Sequence, residues 1–491
     1  MCNTFEEHFF STIMSEAYTP SQAAEMRRIF ELQHKHQWVV ARTGPRERIA
    51  KLQRLHDTVL KYRDEISAAI HADFNKSEME TVLSEIGPVT TELRHAMRHL
   101  RSWMTPKRVD TPLFLVGTWS KIIYEPKGVC LIISPWNFPF NLTLAPLVSA
   151  VAAGNCAILK PSEFTPHSSA VIKKIVTECF PPEEVYLFEG DASVSQELLK
   201  LPFNHIFFTG SPGVGKVVMK AAAEHLSSVT LELGGKSPVI VDATTDLDHA
   251  AAKTVWLKCM NAGQICIATD YVLVEESVYE AFTEKLVEKV KKFYGDTPEA
   301  RRQTPDYCRM VSPKHHARVM NLLNDAVQRG ARVRIGGNDT PEDRYIDPTV
   351  LTDVPDDSLI WEEEIFGPVL PVRPYKTLDE AVAFINARPR PLSLYIFSSS
   401  SRNVDRIHAA TRAGGGAVND CGLHFYQTNL PFGGINNSGT GQCHGEAGFL
   451  DFSNNRGVTW QNRIFPHTNL FVPPYKSKLA KWLGEGVVRW F

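Results

Sequence analysis

Between Gly128 and Val241 the chain alternates short β-rich runs with helical stretches, and no other feature restricts its fold as much. Gly128–Ser134 precedes a helix near Ala145–Ala153, Cys156–Leu159 precedes Ser168–Cys179, and Val185–Phe188 precedes Val194–Leu199. His205–Thr209 then leads into a helix from about Gly213 to His225, and Pro238–Val241 follows. Strands separated by helices of about ten to fifteen residues form βαβ units, because parallel neighbours need a crossover that returns the chain to the same end of the sheet. A second α/β series begins near Leu247 with helix Ala250–Met260, Tyr271–Val274, helices Tyr279–Phe293 and Pro313–Arg329, and a strand about Arg332–Ile335. Val369–Val372, helix Leu378–Ala387 and strand Leu392–Phe397 complete it. Ahead of both, Ser21 to about Trp103 reads helical, with Leu52, Leu55, Val59 and Leu60 at helical spacing. Pro106 and Pro112 break that pattern, and Trp119–Tyr124 reads as an extended excursion.

A chain of 491 residues suggests roughly three domain-sized units. The formal charge of −2 supplies no basic field for a polyanion, which argues against nucleic acid as the main partner. Nine cysteines, an odd number, are scattered singly with no C-x-x-C pair, so no zinc pattern or disulfide framework emerges and reduced thiols are expected. Residues 1–17 lack a basic region followed by an apolar run, and no stretch of the chain is apolar enough to span a bilayer. The cytoplasm is therefore the expected compartment, with Met14 an alternative start.

Several segments suit chemistry, and each also has a plain structural reading. Phe208–Lys216 (FTGSPGVGK) follows a strand and opens a helix, where backbone N–H groups and a helix N-terminus can face phosphate. Val217 stands where a Walker-A loop needs Ser or Thr, and the glycine order is not G-x-G-x-x-G, so a simple helix-entry turn explains it equally. Lys160 and Glu163 end a strand; they are solvated loop charges, or the carboxylate meets ribose hydroxyls as in dinucleotide sites. Glu232 stands between two leucines before Gly234-Gly235, so it is either paired or tuned by burial.

Cys266 sits in NAGQICIAT, where Gly263 and Gln264 suggest a turn with exposed backbone amides suited to a nucleophile. The alternative is an ordinary buried thiol. Asn137, held in SPWNFPF after a β-rich run, is either part of a rigid turn or a preorganised amide donor.

These five segments, with EEEIFGPV (362–369) and PFGG followed by NSG (431–439), resemble the aldehyde dehydrogenase superfamily from about residue 20 to 460. The WNFPFNL run, the NAGQ-x-CIA segment and the late G-x-x-x-x-HG are most similar to the class 3 branch, which includes the fatty aldehyde dehydrogenases. The resemblance implies an α/β fold with a Rossmann-type NAD(P)-binding domain (20–107 and 125–232), an α/β catalytic domain (233–416), a small β oligomerisation region (108–124 and 417–460) and a tail (461–491). It implies Cys266 as nucleophile, Glu232 as general base and Asn137 as oxyanion donor. It places Lys160 and Glu163 at the adenosine ribose, Gly210, Ser211 and Gly215 at the pyrophosphate turn, and Glu364 and Phe366 at the nicotinamide ribose and ring; Trp136 and Leu233 line the same cofactor. No metal is implied. Pro212, Thr269 and Asn436, the last in place of glycine, depart from the branch pattern.

The expected activity is oxidation of an apolar aliphatic or aromatic aldehyde to the carboxylate, with NAD and also NADP as cofactor candidates, in a homodimer. Acyl transfer to coenzyme A would not require a base for water, so Glu232 favours hydrolysis. A non-catalytic binding protein on the same fold is disfavoured because Cys266, Glu232 and Asn137 are all present. Leu479, Trp482, Leu483, Val487, Val488, Trp490 and Phe491, interleaved with Lys478, Lys481 and Arg489, suggest an amphipathic tail helix. Such a helix would dock on protein or make peripheral membrane contact.

Overall fold

The computed structural model describes residues 20–112 and 115–463, with a few isolated residues beyond them. The tail expectation falls mostly outside the described residues, as does Met14. Among the described residues no helix is long and apolar enough to cross a membrane.

Two sheets dominate. The first has six strands in the order Gly439–Thr440, Ser228–Glu232, His205–Thr209, Val129–Ile133, Cys156–Lys160, Val185–Leu187. All are parallel except Gly439–Thr440, which pairs antiparallel with Ser228–Glu232. The three central strands are buried throughout, as expected when helices cover both faces. From Val129–Ile133 the chain builds outward through Cys156–Lys160 and Val185–Leu187, then returns to place His205–Thr209 on the other side. The order therefore reverses between Val129–Ile133 and His205–Thr209, and a ligand crevice forms beyond the carboxyl ends at such a reversal.

The second sheet runs Arg332–Ile335, Thr349–Thr352, Val369–Tyr375, Tyr271–Glu275, Pro238–Val241, Ser393–Phe397, Gly415–Val418, parallel except at its first strand. Pro238–Val241 thus opens this second series instead of closing the first. The strand Ser228–Glu232 was not anticipated, because a lone acid between leucines reads poorly as a strand. A third sheet joins Lys107–Val109, Thr118–Pro126 and the nine-residue Ser453–Gln461, all antiparallel. Residues 417–460 do not form one unit: Gly439–Thr440 completes the first sheet, and helix Gly445–Asp451 packs on helices Asn141–Ala153 and Gly87–Trp103.

The N-terminal helices are Pro20–Ala41, Pro45–Lys61, Arg63–Phe74 and Gly87–Trp103, with the last two separated by Glu78–Thr81 and a π-helical turn at Val82–Ile86. A wide turn of this kind interrupts the regular hydrogen-bond ladder and is common near functional sites. Helix Asn141–Ala153 is buried on almost every face, as a uniformly apolar helix must be.

Candidate active site

The first sheet turns its carboxyl ends toward the amino ends of the second. Ile133 leads to Trp136 and Asn137, Lys160 to Glu163, Thr209 to Gly210 and Ser211, and Glu232 to Leu233. Facing them, Cys266 precedes the strand Tyr271–Glu275 and Glu364 precedes Val369–Tyr375.

Cys266 lies in a loop that begins with three successive left-handed residues, Asn261 (φ 52°), Ala262 (φ 50°) and Gly263 (φ 74°). Asparagine tolerates this conformation, but Ala262 does not, so the surroundings must hold it there at a cost of order 1–3 kcal/mol. Gly263 has no freedom to change, since a Cβ would lie 2.3 Å from the Gly367 carbonyl oxygen. Gln264 is a fully buried clamp and not an exposed turn residue. Its amide donates to the Asn261 and Arg309 carbonyls at 2.9 and 3.1 Å, and its carbonyl oxygen accepts from Val311 N at 2.9 Å. Cys266 is partly exposed, while the other described cysteines are buried.

Asn137 Nδ2 donates to the Gln264 carbonyl at 3.0 Å, and Asn261 Nδ2 donates to the Asn137 and Gln264 carbonyls at 2.8 and 3.0 Å. The two loops are thereby stitched together across the gap between the sheets. An amide nitrogen carries two hydrogens, so Asn137 keeps a second N–H for another acceptor.

Glu232 ends its strand 5% exposed, and neither carboxyl oxygen has a conventional hydrogen-bond partner. The structure therefore answers the alternative left by the sequence: the acid is tuned by burial and not ion-paired. Burial pushes its carboxyl well above the usual range; the Cys443 thiol opposes this and the Asp451 charge adds to it. Glu364 is raised to about 8, chiefly by burial and then by Asp270, while the Gly235 N–H pulls it down. Its Oε1 has no partner, and a Cβ on Gly234 would lie 2.1 Å from its Oε2. Burial also pushes the Cys266 thiol up; Glu364 and Glu232 act in the same direction, against the backbone N–H groups of Cys266 and Ile267. The ligand-free thiol is thus protonated at neutral pH.

The crevice has features that fit a dinucleotide. Ser211 caps helix Pro212–Ala223, its Oγ accepting from Val214 N at 3.5 Å, and Pro212 takes the first helical position, where its missing N–H costs nothing. Gly213 is exposed with open space around it, whereas Gly215 is buried and abuts Leu233, where a Cβ would lie 2.8 Å from Leu233 Cδ2. Gly215 therefore serves helix–strand packing beneath the turn. Lys160 is buried; its Nζ donates to the Pro161 carbonyl at 2.8 Å and lies 3.4 Å from Oε2 of the exposed Glu163. Trp136 meets Phe366 edge-on at 5.3 Å, and Phe366 is left-handed (φ 47°). His315, which the sequence did not single out, stands between Trp136 at 4.6 Å and Phe164 at 5.3 Å. Burial lowers its ring to about 4, so it is neutral. No spacing marks it, because it belongs to an ordinary helix, Pro313–Gln328.

A family model for the aldehyde dehydrogenase family matches residues 12–458. The chain belongs to the aldehyde dehydrogenase family. Among its relatives, the 4,4'-diaponeurosporen-aldehyde dehydrogenase of Staphylococcus aureus is 43% identical over 428 residues, covering 87% of this chain and 92% of that one. Aldehyde dehydrogenase family 3 member A2 of Macaca fascicularis is 41% identical over 438 residues, 89% of each chain. A substrate-bound Staphylococcus aureus AldH structure superimposes with a TM-score of 0.89 at 40% identity, covering 94% of this chain and 99% of that one. This aldehyde dehydrogenase is an NAD(P)-dependent oxidoreductase that converts an aldehyde to the acid. Asn436, one departure from the class 3 pattern, adopts φ 54°, a conformation asparagine tolerates almost as well as the glycine it replaces. Thr269 is buried and donates its hydroxyl to the Thr254 carbonyl at 3.1 Å.

Proposed function

We propose that Cys266 Sγ attacks the aldehyde carbonyl, that Asn137 and the Cys266 amide hold the resulting oxyanion, and that Glu232 activates the water that releases the acid. The observation that carries this reading is the Asn137–Gln264 hydrogen bond, which keeps an amide donor beside the one partly exposed thiol among the described cysteines. A donor of this kind contributes about a hundredfold to a thousandfold in rate. When bound, the nicotinamide supplies the acceptor for the hydride lost from the thiohemiacetal. Lys160 and Glu163 face its adenosine ribose, Gly210 and Ser211 its pyrophosphate, with Gly215 and Leu233 packed below. Trp136, Glu364 and Phe366 line the nicotinamide end. The Glu163 carboxylate accepts ribose hydroxyls and repels a 2′-phosphate, so NAD is preferred over NADP. Glu232, poorly solvated, gains a proton readily from water and returns it to the site, which suits hydrolysis of the thioester over transfer to coenzyme A.

The substrate is an apolar aliphatic or aromatic aldehyde. A cleft of about 500 Å³ is lined by Met79, Leu83, Trp256, Met260, Phe293 and Tyr294, with Glu80, Lys253 and Asp306 also on its wall, and Met260 directly precedes the Cys266 loop. The protein works in the cytoplasm as a homodimer, with Ser453–Gln461, at the edge of its sheet among the described residues, as the strand a second copy would meet. The test is NAD(P)H formation from hexanal through hexadecanal and benzaldehyde, with Cys266→Ala alongside. Turnover lost in the variant supports the thioester route; a wild type inactive with every aldehyde and both cofactors overturns it.

A further inference from the structure

Beneath the two loops of the proposed oxyanion site lies a cluster of charge that the reaction does not itself use. Lys76 and Glu85 are both completely buried, with Nζ 3.4 Å from Oε1. The Lys76 ammonium also lies over the rings of Phe138 at 4.7 Å and Phe74 at 5.1 Å, and Phe138 follows Asn137 directly. The second oxygen of Glu85 accepts from Asn141 N at 2.9 Å, at the far end of the Asn137 loop, while Asn141 Nδ2 donates to the Ser84 carbonyl at 3.2 Å. Glu80, one helical turn earlier, accepts from Asn261 N at 2.7 Å, at the head of the Cys266 loop. Asn261 is the left-handed residue whose amide reaches both Asn137 and Gln264.

We propose that Lys76, Glu80 and Glu85 are positioning residues: each carboxyl grips the backbone of one oxyanion loop, and the shared π-turn and Lys76 fix the separation between the two grips. The π-helical turn Val82–Ile86 starts two residues after Glu80 and contains Glu85, so its wide winding sets their spacing. Gly87 closes it, since a Cβ there would lie 2.7 Å from the Val82 carbonyl oxygen. A short N–H···carboxyl bond is directional, so it fixes Asn261 just ahead of the strained left-handed Ala262. Burial drives both carboxyls toward the neutral form and Lys76 opposes it. A carboxyl oxygen accepts the N–H in either state, so oxygen placement governs the grip. Misplacement of a reacting group by about 1 Å can cost on the order of a hundredfold in rate.

This inference rests on the catalytic roles proposed above for Asn137 and Cys266. Its test compares Glu80→Gln, which keeps an oxygen in place, with Glu80→Asp, which keeps the acid but withdraws the oxygen by one methylene. Both are made in the wild type and in Asn137→Ala, with steady-state kinetics and thermal melts. We expect kcat to fall at least tenfold in Glu80→Asp with aldehyde KM within about twofold, and to stay within about threefold in Glu80→Gln. In the Asn137→Ala background the Glu80→Asp loss should shrink to less than about threefold, because the donor whose separation from the Cys266 loop Glu80 helps to fix is gone. Full activity in Glu80→Asp, equal losses in Gln and Asp, losses that multiply independently with Asn137→Ala, or a lower melting point with unchanged kcat each overturn the inference. An Asn137→Ala enzyme with wild-type kcat would instead remove the reading underneath, and is recognised separately.

Discussion

Asn137 Nδ2 donates to the carbonyl of Gln264 at 3.0 Å, joining the loop after the first sheet's central strand to the loop that presents Cys266. The bond uses one amide hydrogen and leaves its twin for the substrate oxygen in the proposed reaction. Asn137→Ala removes both. We expect kcat to fall about a hundredfold to a thousandfold with aldehyde KM little changed, measured by steady-state NADH formation. Loss confined to KM would show that the side chain binds substrate without stabilising the oxyanion.

Glu232→Gln should separate the two halves of the reaction. Thioester formation needs no base for water, so a stopped-flow burst approaching one NADH per active site should survive. Steady-state turnover should fall by about a hundredfold or more. Absence of a burst would mean that Glu232 acts before the thioester forms.

The pH dependence of the ligand-free thiol follows from its surroundings. Burial, Glu364 and Glu232 raise the Cys266 thiol above its ordinary value, so the thiolate fraction grows as pH rises through and beyond neutrality. Alkylation by iodoacetamide, followed by mass spectrometry at Cys266, should climb about tenfold per pH unit from 7 to 9. Glu232→Gln removes one opposing group and should speed alkylation at pH 8. A rate that levels off below pH 7 would contradict this assignment.

Two glycines within four residues of Ser211 should respond differently. Gly213→Ala places its methyl in open space, whereas Gly215→Ala drives one into Leu233. The first should leave NAD KM within about twofold and melting unchanged or slightly raised. The second should raise NAD KM several-fold and lower the melting point by a few degrees, of the order expected for overpacking by one methyl. Matching behaviour in both variants would contradict the packing role of Gly215.

Much of the architecture was legible because buried parallel strands and amphipathic helices leave periodic patterns. The strands around Ile132, Ile158 and Phe207 and the helix after Tyr279 are apolar runs that local reading detects. Ser228–Glu232 was missed because its exposed start and terminal acid spoil the run, and Gly439–Thr440 because a two-residue strand has no period. The residue types of the candidate site were legible through Cys266, Glu232 and Asn137, which the fold brings to the facing ends of the two sheets. Their supports were not: His315 acquires its place only when the helix starting at Pro313 packs against Trp136, and Lys76 looks like any solvent lysine until the fold closes over it. Gln264, read as part of an open turn, proves to be a clamp because its partners Arg309 and Val311 are distant in sequence.

The two-residue strand Gly439–Thr440 has a consequence for how the enzyme comes into being. It docks beside Leu231 and Glu232, and Leu233 N donates to the Ser438 carbonyl at 3.0 Å, so the proposed base is covered by chain made long after it. Until that strand docks, Ser228–Glu232 is the edge of the first sheet and Glu232 stands at its open side. On the proposed roles, a growing chain would hold its nucleophile before the strand that seals that edge gives it a working base.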